Sequence, residues 1–171
     1  MDPATVFAEW TLGRIPGEKL SLIASALLAD GFDTPTLRVL AEAPSEELDG
    51  KGPELLIAAM SELGIAQSTC EEAALIAARR VAKRLLGGEL RVRDACADIA
   101  SLSLGCENRT ERLTDFFFLL DEWELAASGE LGTLAQTEAD ISEAAARLLE
   151  PDESVESVAV SGESSRLEAK T

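Results

Sequence analysis

The sequence contains no histidine. Histidine is the general base of Ser-His-Asp and Cys-His catalysis and a zinc ligand in HEXXH sites, so these classes of site are excluded. The GxxxxGK[ST] and GxGxxG loops that bind nucleotide phosphates are also missing. We therefore expect no catalytic residue, no metal site and no cofactor, and we predict a protein that is not an enzyme.

Aromatic residues and cysteines are scarce. Tyrosine is absent and aromatics make up 4% of the chain, whereas alanine and leucine dominate the 46% of residues that are hydrophobic. This balance favours helices over sheets and predicts an all-α fold. The three cysteines, Cys70, Cys96 and Cys106, have spacings that match neither a disulfide framework nor a zinc site, so we predict reduced, mostly buried thiols.

Long apolar runs and a secretory signal are missing as well. The first residues, MDPATVFAEW, lack a basic region followed by an apolar one, and no run approaches the roughly 18 apolar residues of a membrane span. The sequence therefore predicts a cytoplasmic protein that does not enter a membrane.

Acidic residues are abundant. The chain has 32 Asp and Glu against 15 Lys and Arg, which gives a formal net charge of −17. Such a surface repels the phosphates of nucleic acids and the anionic membrane leaflet. A basic protein is the partner that this charge favours, since opposite charges accelerate association.

Helix start and stop signals predict seven to eight helices within residues 1–150, which we expect to form one helical domain. Asp2 followed by Pro3 predicts the first N-cap, and Asp33 predicts the cap of the third helix. Ser68 with Glu71 predicts a capping box for the fifth helix.

Two segments are predicted to lie outside helices. Residues 44–53, PSEELDGKGP, have the composition of a loop. Residues 151–171 consist mainly of Ser, Glu and small residues and predict a disordered, acidic C-terminal tail.

Residues 77–93 are basic, in contrast to the acidic last third of the chain. They contain one acid, Glu89, and six cations: Arg79, Arg80, Lys83, Arg84, Arg91 and Arg93. The favoured interpretation is that this stretch packs beside the acidic C-terminal part and partly neutralises it. The alternative is a stripe that binds phosphate or RNA, although no aromatic residues are interleaved with its cations.

The segment DFFFLLDEWE, residues 115–124, is predicted to lie on the seventh helix. At about 100° per residue, one side of this helix carries a complete apolar stripe: Phe116, Leu119, Leu120, Trp123 and Ala127. Phe118 and Leu125 lie on the other side, flanked by Asp115, Asp121 and Glu122. The helix is therefore either central and buried on most sides, or it has a second apolar face, ringed by carboxylates, that meets a partner protein.

A carboxylate-bound magnesium site of an all-α nucleotide hydrolase is the enzymatic alternative. Such sites hold Mg²⁺ with acids one turn apart on facing helices. The nearest candidates are Glu71, Glu72, Asp94 and Asp98. The paired motif of these enzymes is incomplete here, and acids at helix starts also stabilise the helix dipole.

In size, acidity and helix content the chain resembles small, acidic, all-α bacterial immunity and antitoxin proteins. The resemblance implies a non-enzymatic inhibitor that covers a basic partner protein with an acidic helical face. The five residues predicted to form this face are Asp115, Phe118, Asp121, Glu122 and Leu125. A self-associating structural or assembly subunit, paired through Phe118 and Leu125, is the non-enzymatic alternative.

Overall fold

In the computed structural model, residues 1–104, 106 and 111–150 are described. These residues form eight α-helices and one short 3₁₀ turn, Gly17–Lys19, and contain no strand, which confirms the all-α prediction. The helices are α1 Pro3–Thr11, α2 Leu20–Ala29, α3 Pro35–Glu42, α4 Ser45–Glu62, α5 Cys70–Leu86, α6 Val92–Leu104, α7 Glu111–Ser128 and α8 Leu134–Leu148. The predicted tail, residues 151–171, lies outside the described residues.

The helices pack around two hydrophobic clusters. The first, here called the N-terminal core, is formed by α1 to α4 and consists of Val6, Phe7, Leu20, Ala24, Leu27, Leu37, Leu40, Leu48, Leu56, Ala59 and Met60. The second, the C-terminal core, is formed by α5 to α8 together with Cys106. The first helix and its C-cap residue link the two cores, because Phe7 of α1 is buried in the N-terminal core while Leu12, the C-cap, packs against the C-terminal core.

The helix caps partly follow the predicted ones. Asp2 caps α1 by accepting a hydrogen bond from the Thr5 amide at 3.1 Å, as predicted. The prediction for α3 is wrong by one residue, because Thr34 is the cap and Asp33 pairs with Arg38 instead.

The capping box of α5 is also shifted by one residue from the prediction. Thr69, not Ser68, accepts from the Glu72 amide, and the Glu72 carboxylate accepts in return from the Thr69 amide at 2.8 Å. Both candidate pairs have the same spacing, so the sequence pattern alone does not distinguish them.

The predicted loop at residues 44–53 is wrong, because helix α4 begins at Ser45 and continues through Pro53. Proline removes one backbone hydrogen bond from a helix, and this cost is offset by the burial of Leu48 and Leu56 on either side of it. Gly52 also has a packing role. A β-carbon at Gly52 would lie 2.9 Å from Cδ1 of Leu20, so the absence of a side chain lets α4 approach α2 closely.

The prediction of reduced cysteines is wrong for two of the three. Cys70, the first residue of α5, forms a disulfide with Cys106, which follows α6, and their Cα atoms are 5.7 Å apart. The two residues are 36 positions apart, and the helical hairpin of α5 and α6 brings them together. Cys96 is a free, buried thiol, as predicted.

Among the described residues, no helix combines the length and apolar character needed to cross a lipid bilayer.

Candidate protein-interaction face on helix α7

Helix α7 packs on the C-terminal core along one side only. Leu113, Phe116 and Ala126 are its buried residues, while Leu119, Leu120 and Trp123 are partly buried against the same core. Ala127, the last residue of the predicted stripe, is exposed, whereas its neighbour Ala126 is buried. The interpretation of α7 as a central helix buried on most sides is therefore wrong.

The opposite side of α7 carries the predicted partner-binding residues, and all five are exposed. We call them the Phe118 face: Asp115, Phe118, Asp121, Glu122 and Leu125. Phe118 is 64% exposed and Leu125 is 38% exposed. They are two helical turns apart, so their side chains lie in one line with the three carboxylates on both sides. Among the described residues Phe118 is the one exposed aromatic side chain, and with Leu125 it forms a small apolar strip between carboxylates.

The carboxylates of this face are not used within the described part of the chain. Asp115, Asp121 and Glu122 form no ion pair with any described residue. The next acid of the helix, Glu124, differs, because its Oε1 accepts a hydrogen bond from Arg93 of α6 at 3.3 Å. The Arg93 guanidinium also lies over the Trp123 ring, 5.6 Å from its centroid. Arg93 thus covers one edge of α7 and leaves the Phe118 face open.

Two further residues extend the face beyond those predicted. Glu111 is exposed and lies seven residues before Phe118, so heptad spacing could have identified it. Leu131 is 55% exposed in the turn after α7, where its amide donates to the Leu125 carbonyl at 3.3 Å. No periodic pattern indicates Leu131, because a turn rather than the helix places it there.

The basic residues of the stretch 77–93 do not form one stripe. Arg79 Nε donates to the Leu148 carbonyl of α8 at 2.9 Å, Arg93 contacts α7, and Arg80 lies 3.8 Å from Glu9 of α1. Arg84 and Arg91 pair locally with acids that follow them in the sequence. Arg93 is thus the one cation of this stretch that forms a described ion pair with an acid of the C-terminal helices, while Arg80, Arg84 and Arg91 pair with acids elsewhere.

The carboxylates of the magnesium alternative are not brought together. Glu72 is held in the capping box, and the Asp94 carboxylate accepts from Arg91 Nε at 2.7 Å. No three Asp, Glu, Cys or His residues in the described ranges are arranged to hold a metal ion. The geometry therefore gives this alternative no support.

The one free thiol of the described residues is unreactive. The Cys96 Sγ donates to the Phe116 carbonyl at 3.3 Å, and burial raises the pKa of the Cys96 thiol to about 12. A thiol with this pKa is protonated at neutral pH and is a poor nucleophile. Cys96 is therefore a core residue that fixes α6 against α7.

Comparisons with protein families, with curated proteins and with solved structures found no match for this chain. The α7 geometry and the charge of the chain are therefore the observations on which a function is proposed.

Proposed function

We propose that this protein is a non-enzymatic binding module of the inhibitor or immunity type, which covers a basic partner protein with the Phe118 face. The observation that carries the proposal is the exposed Phe118 side chain, surrounded by three carboxylates that form no ion pair within the described residues. Transferring a phenylalanine side chain from water to an apolar pocket is favourable by about 2 kcal/mol. Phe118 is therefore suited to be the apolar anchor of an interface.

The carboxylates supply the other half of the recognition. Asp115, Asp121 and Glu122 are exposed and unpaired within the described residues, so the protein loses no internal ion pair when they meet cations of a partner. The net charge of −17 attracts a basic protein before contact, and the ring of acids then sets the orientation. Binding in this manner blocks a basic functional surface on the partner.

Self-association through the same face is less favourable. In a symmetric dimer each residue faces its equivalent region on the second copy, so the carboxylate rings of both copies would come together. Like charges in one interface oppose association. We expect a monomer in sedimentation at high concentration and moderate salt. A dimer that Phe118→Ala dissociates would replace the binding proposal with the assembly alternative.

The proposed location depends on the redox state of the disulfide. Disulfides are rare in the reducing cytosol and persist in oxidising compartments. We propose a cytoplasmic location, and in that compartment we expect Cys70 and Cys106 to be reduced. Alkylation of both thiols in intact cells before lysis would support it, whereas a protected disulfide would move the proposal to an oxidising compartment.

The test uses capture of basic proteins by the immobilised full chain at low salt. A captured partner should show a 1:1 stoichiometry and an affinity that falls as salt rises. Phe118→Ala with Asp121→Ala should weaken it by at least about 100-fold, because an anchor and a charge are lost together.

The matched control changes an equally exposed apolar residue and an acid elsewhere. Leu22 of α2 is 70% exposed, so Leu22→Ala with Glu18→Ala removes a similar pair from another surface. We expect this control variant to bind like the parent protein. The free energy of unfolding of both variants should lie within about 0.5 kcal/mol of that of the parent protein. Equal loss of binding in both variants would contradict the assignment of the Phe118 face.

A further inference from the structure

A cleft of about 700 Å³ lies between α1, α2 and α5, and no residue of α7 lines it. Its apolar wall consists of Val6, Ile15, Ile23 and Ile76. Its volume is within the range of small-molecule sites, about 300 to 1,000 Å³. The cleft is open to solvent on one side, has room for a small ligand, and is separate from the Phe118 face.

The cations of the cleft come from one helix. Arg79, Arg80 and Lys83 of α5 line it, and in a chain of net charge −17 this is a notable concentration of positive charge. Arg79 and Lys83 are four residues apart and lie on one side of α5, whereas Arg80 lies 3.8 Å from Glu9 of α1. Together they favour an anionic group at this side of the cleft.

The acids of the cleft are already engaged. Asp2 accepts from the Thr5 amide as the cap of α1, and Glu9 lies 3.8 Å from Arg80. Lys83 is exposed and forms no ion pair with any residue in the described ranges. Its ammonium group is thus available to a ligand without the loss of an internal pair.

The lining also indicates the body of the ligand. Branched aliphatic side chains line the cleft, and no aromatic ring is among its lining residues. Nucleotide bases are commonly bound by stacking on aromatic rings, whereas an alkyl chain needs only apolar surface. The combination of aliphatic wall and cationic rim therefore fits a molecule with an alkyl chain and an anionic head.

We propose that this cleft binds a single-chain anionic amphiphile of the fatty-acid class. The carboxylate lies beside Lys83 and Arg80, and the alkyl chain lies on Ile15, Ile23 and Ile76. This second binding function does not depend on the proposed function of the Phe118 face.

The test is a titration of the full chain with decanoate below its micellar concentration, followed by NMR of isoleucine methyl groups. We expect saturable shifts of Ile15, Ile23 and Ile76, with no shift of Ile57 on α4 or Ile141 on α8. Across octanoate, decanoate and dodecanoate, affinity should rise about fourfold for each added methylene that the cleft covers.

Two variants and a neutral ligand test the role of charge. Lys83→Gln should weaken decanoate binding about tenfold, because a charge-assisted hydrogen bond is lost, and should leave the binding of decanol unchanged. Lys51→Gln on α4 is the matched control, since Lys51 is an exposed helical lysine outside the cleft. It should bind decanoate like the parent protein.

Three results would overturn the proposal. One is equal affinity for decanol and decanoate. Another is methyl shifts that never saturate, or shifts at residues of the Phe118 face in place of those at the cleft. The third is a cleft already occupied by the chain itself, seen as contacts from the Val155, Val158 and Val160 methyl groups to Ile23 and Ile76 in the ligand-free protein. That result would assign the cleft to residues 151–171.

Discussion

Leucine is the commonest residue of the N-terminal core, whereas alanine is the commonest of the C-terminal core. The N-terminal core buries six leucines among 11 residues, and the C-terminal core buries eight alanines among 18. A leucine has three more carbon atoms than an alanine, so each contributes more apolar burial and leaves a larger cavity when it is truncated. The two regions therefore depend on different kinds of interaction.

The alanine-rich region is tied by specific contacts between its helices. Small side chains let α5, α6 and α8 approach closely, but each of them buries little surface. The disulfide from Cys70 to Cys106, the Arg79 bond to the Leu148 carbonyl and the contacts of Arg93 add to that packing. We therefore expect the stability of the C-terminal region to depend more on its disulfide and arginine contacts, and that of the N-terminal region to depend more on the volume of its buried side chains.

The two tryptophans of the chain report on the two regions separately. Trp10 packs on the N-terminal core with its ring stacked on Phe7 at 5.6 Å, and Trp123 packs on the C-terminal core. Trp10→Phe and Trp123→Phe each leave one fluorescent residue, so each unfolding curve can be assigned to one region. In the paired variants, the Trp10 signal reports on the N-terminal core and the Trp123 signal on the C-terminal core.

The largest effect is expected from Leu27→Ala. Leu27 is fully buried in the N-terminal core, and the cavity left by truncation should cost about 4 kcal/mol of unfolding free energy. The unfolding midpoint in urea should fall more in the Trp10 signal than in the Trp123 signal. Equal shifts in both signals would mean that the two cores unfold as one unit and would break the comparison.

The next effect is expected from loss of the disulfide. Cys70→Ser with Cys106→Ser frees a loop of 36 residues in the unfolded state and should cost about 3 kcal/mol. This loss should dominate the Trp123 signal. A reducing agent should cause the same loss of unfolding free energy in the parent protein and no further loss in the variant. A parent protein whose stability is the same with and without reducing agent would contradict the disulfide.

A smaller effect is expected at the start of α5. Thr69→Ala removes the capping hydrogen bond and should cost about 1 kcal/mol by thermal or urea unfolding. Ser68→Ala is the matched control, because Ser68 does not cap the helix, and it should be neutral. A larger loss of unfolding free energy in Ser68→Ala than in Thr69→Ala would support the capping box predicted from the sequence, Ser68 with Glu71.

The smallest effect is expected in acid, where hydrogen bonds lower the pKa of three carboxyl groups of the N-terminal region. The donor is Thr5 for Asp2, Arg38 for Asp33 and Thr36 for Glu62. Because the pKa of each is lower in the folded state, each stabilises the fold above its unfolded pKa of about 4, and this contribution disappears as pH falls through the folded pKa.

The acid effect is measured as the difference between the two tryptophan signals. Because protonation of other acids also changes stability in both regions, Glu62→Gln is used to separate the contribution of one of the three groups. Below about pH 4 the Trp10 midpoint should fall relative to that of Trp123, and Glu62→Gln should reduce this fall. A pH dependence that Glu62→Gln leaves unaltered would contradict a role for the Thr36 contact.

Much of the fold was predictable because local rules act over a few residues. The start of α1 at Asp2 and Pro3 and the all-α class follow from helix-start signals and residue propensity. The exposure of Phe118 was predicted only as one of two alternatives. Periodicity shows that a helix has two apolar sides, but not how many neighbours cover it.

The errors share a physical cause, which is that tertiary contacts override local preference. Residues 44–53 have loop composition, yet Gly52 and Pro53 lie in α4 because packing against Leu20 and the N-terminal core outweighs their propensity. Asp33 has the chemistry of a cap, but its neighbour Thr34 holds that position.

The sequence by itself determined the helical class, the strongly acidic charge and the absence of histidine chemistry, since these depend only on which residues are present. Tertiary structure decided which residues are neighbours. The hairpin of α5 and α6 joined Cys70 to Cys106, packing against one side of α7 left Phe118 exposed, and α1, α2 and α5 lined an open cleft. Each of these depends on distances between residues far apart in the chain, which no local pattern encodes.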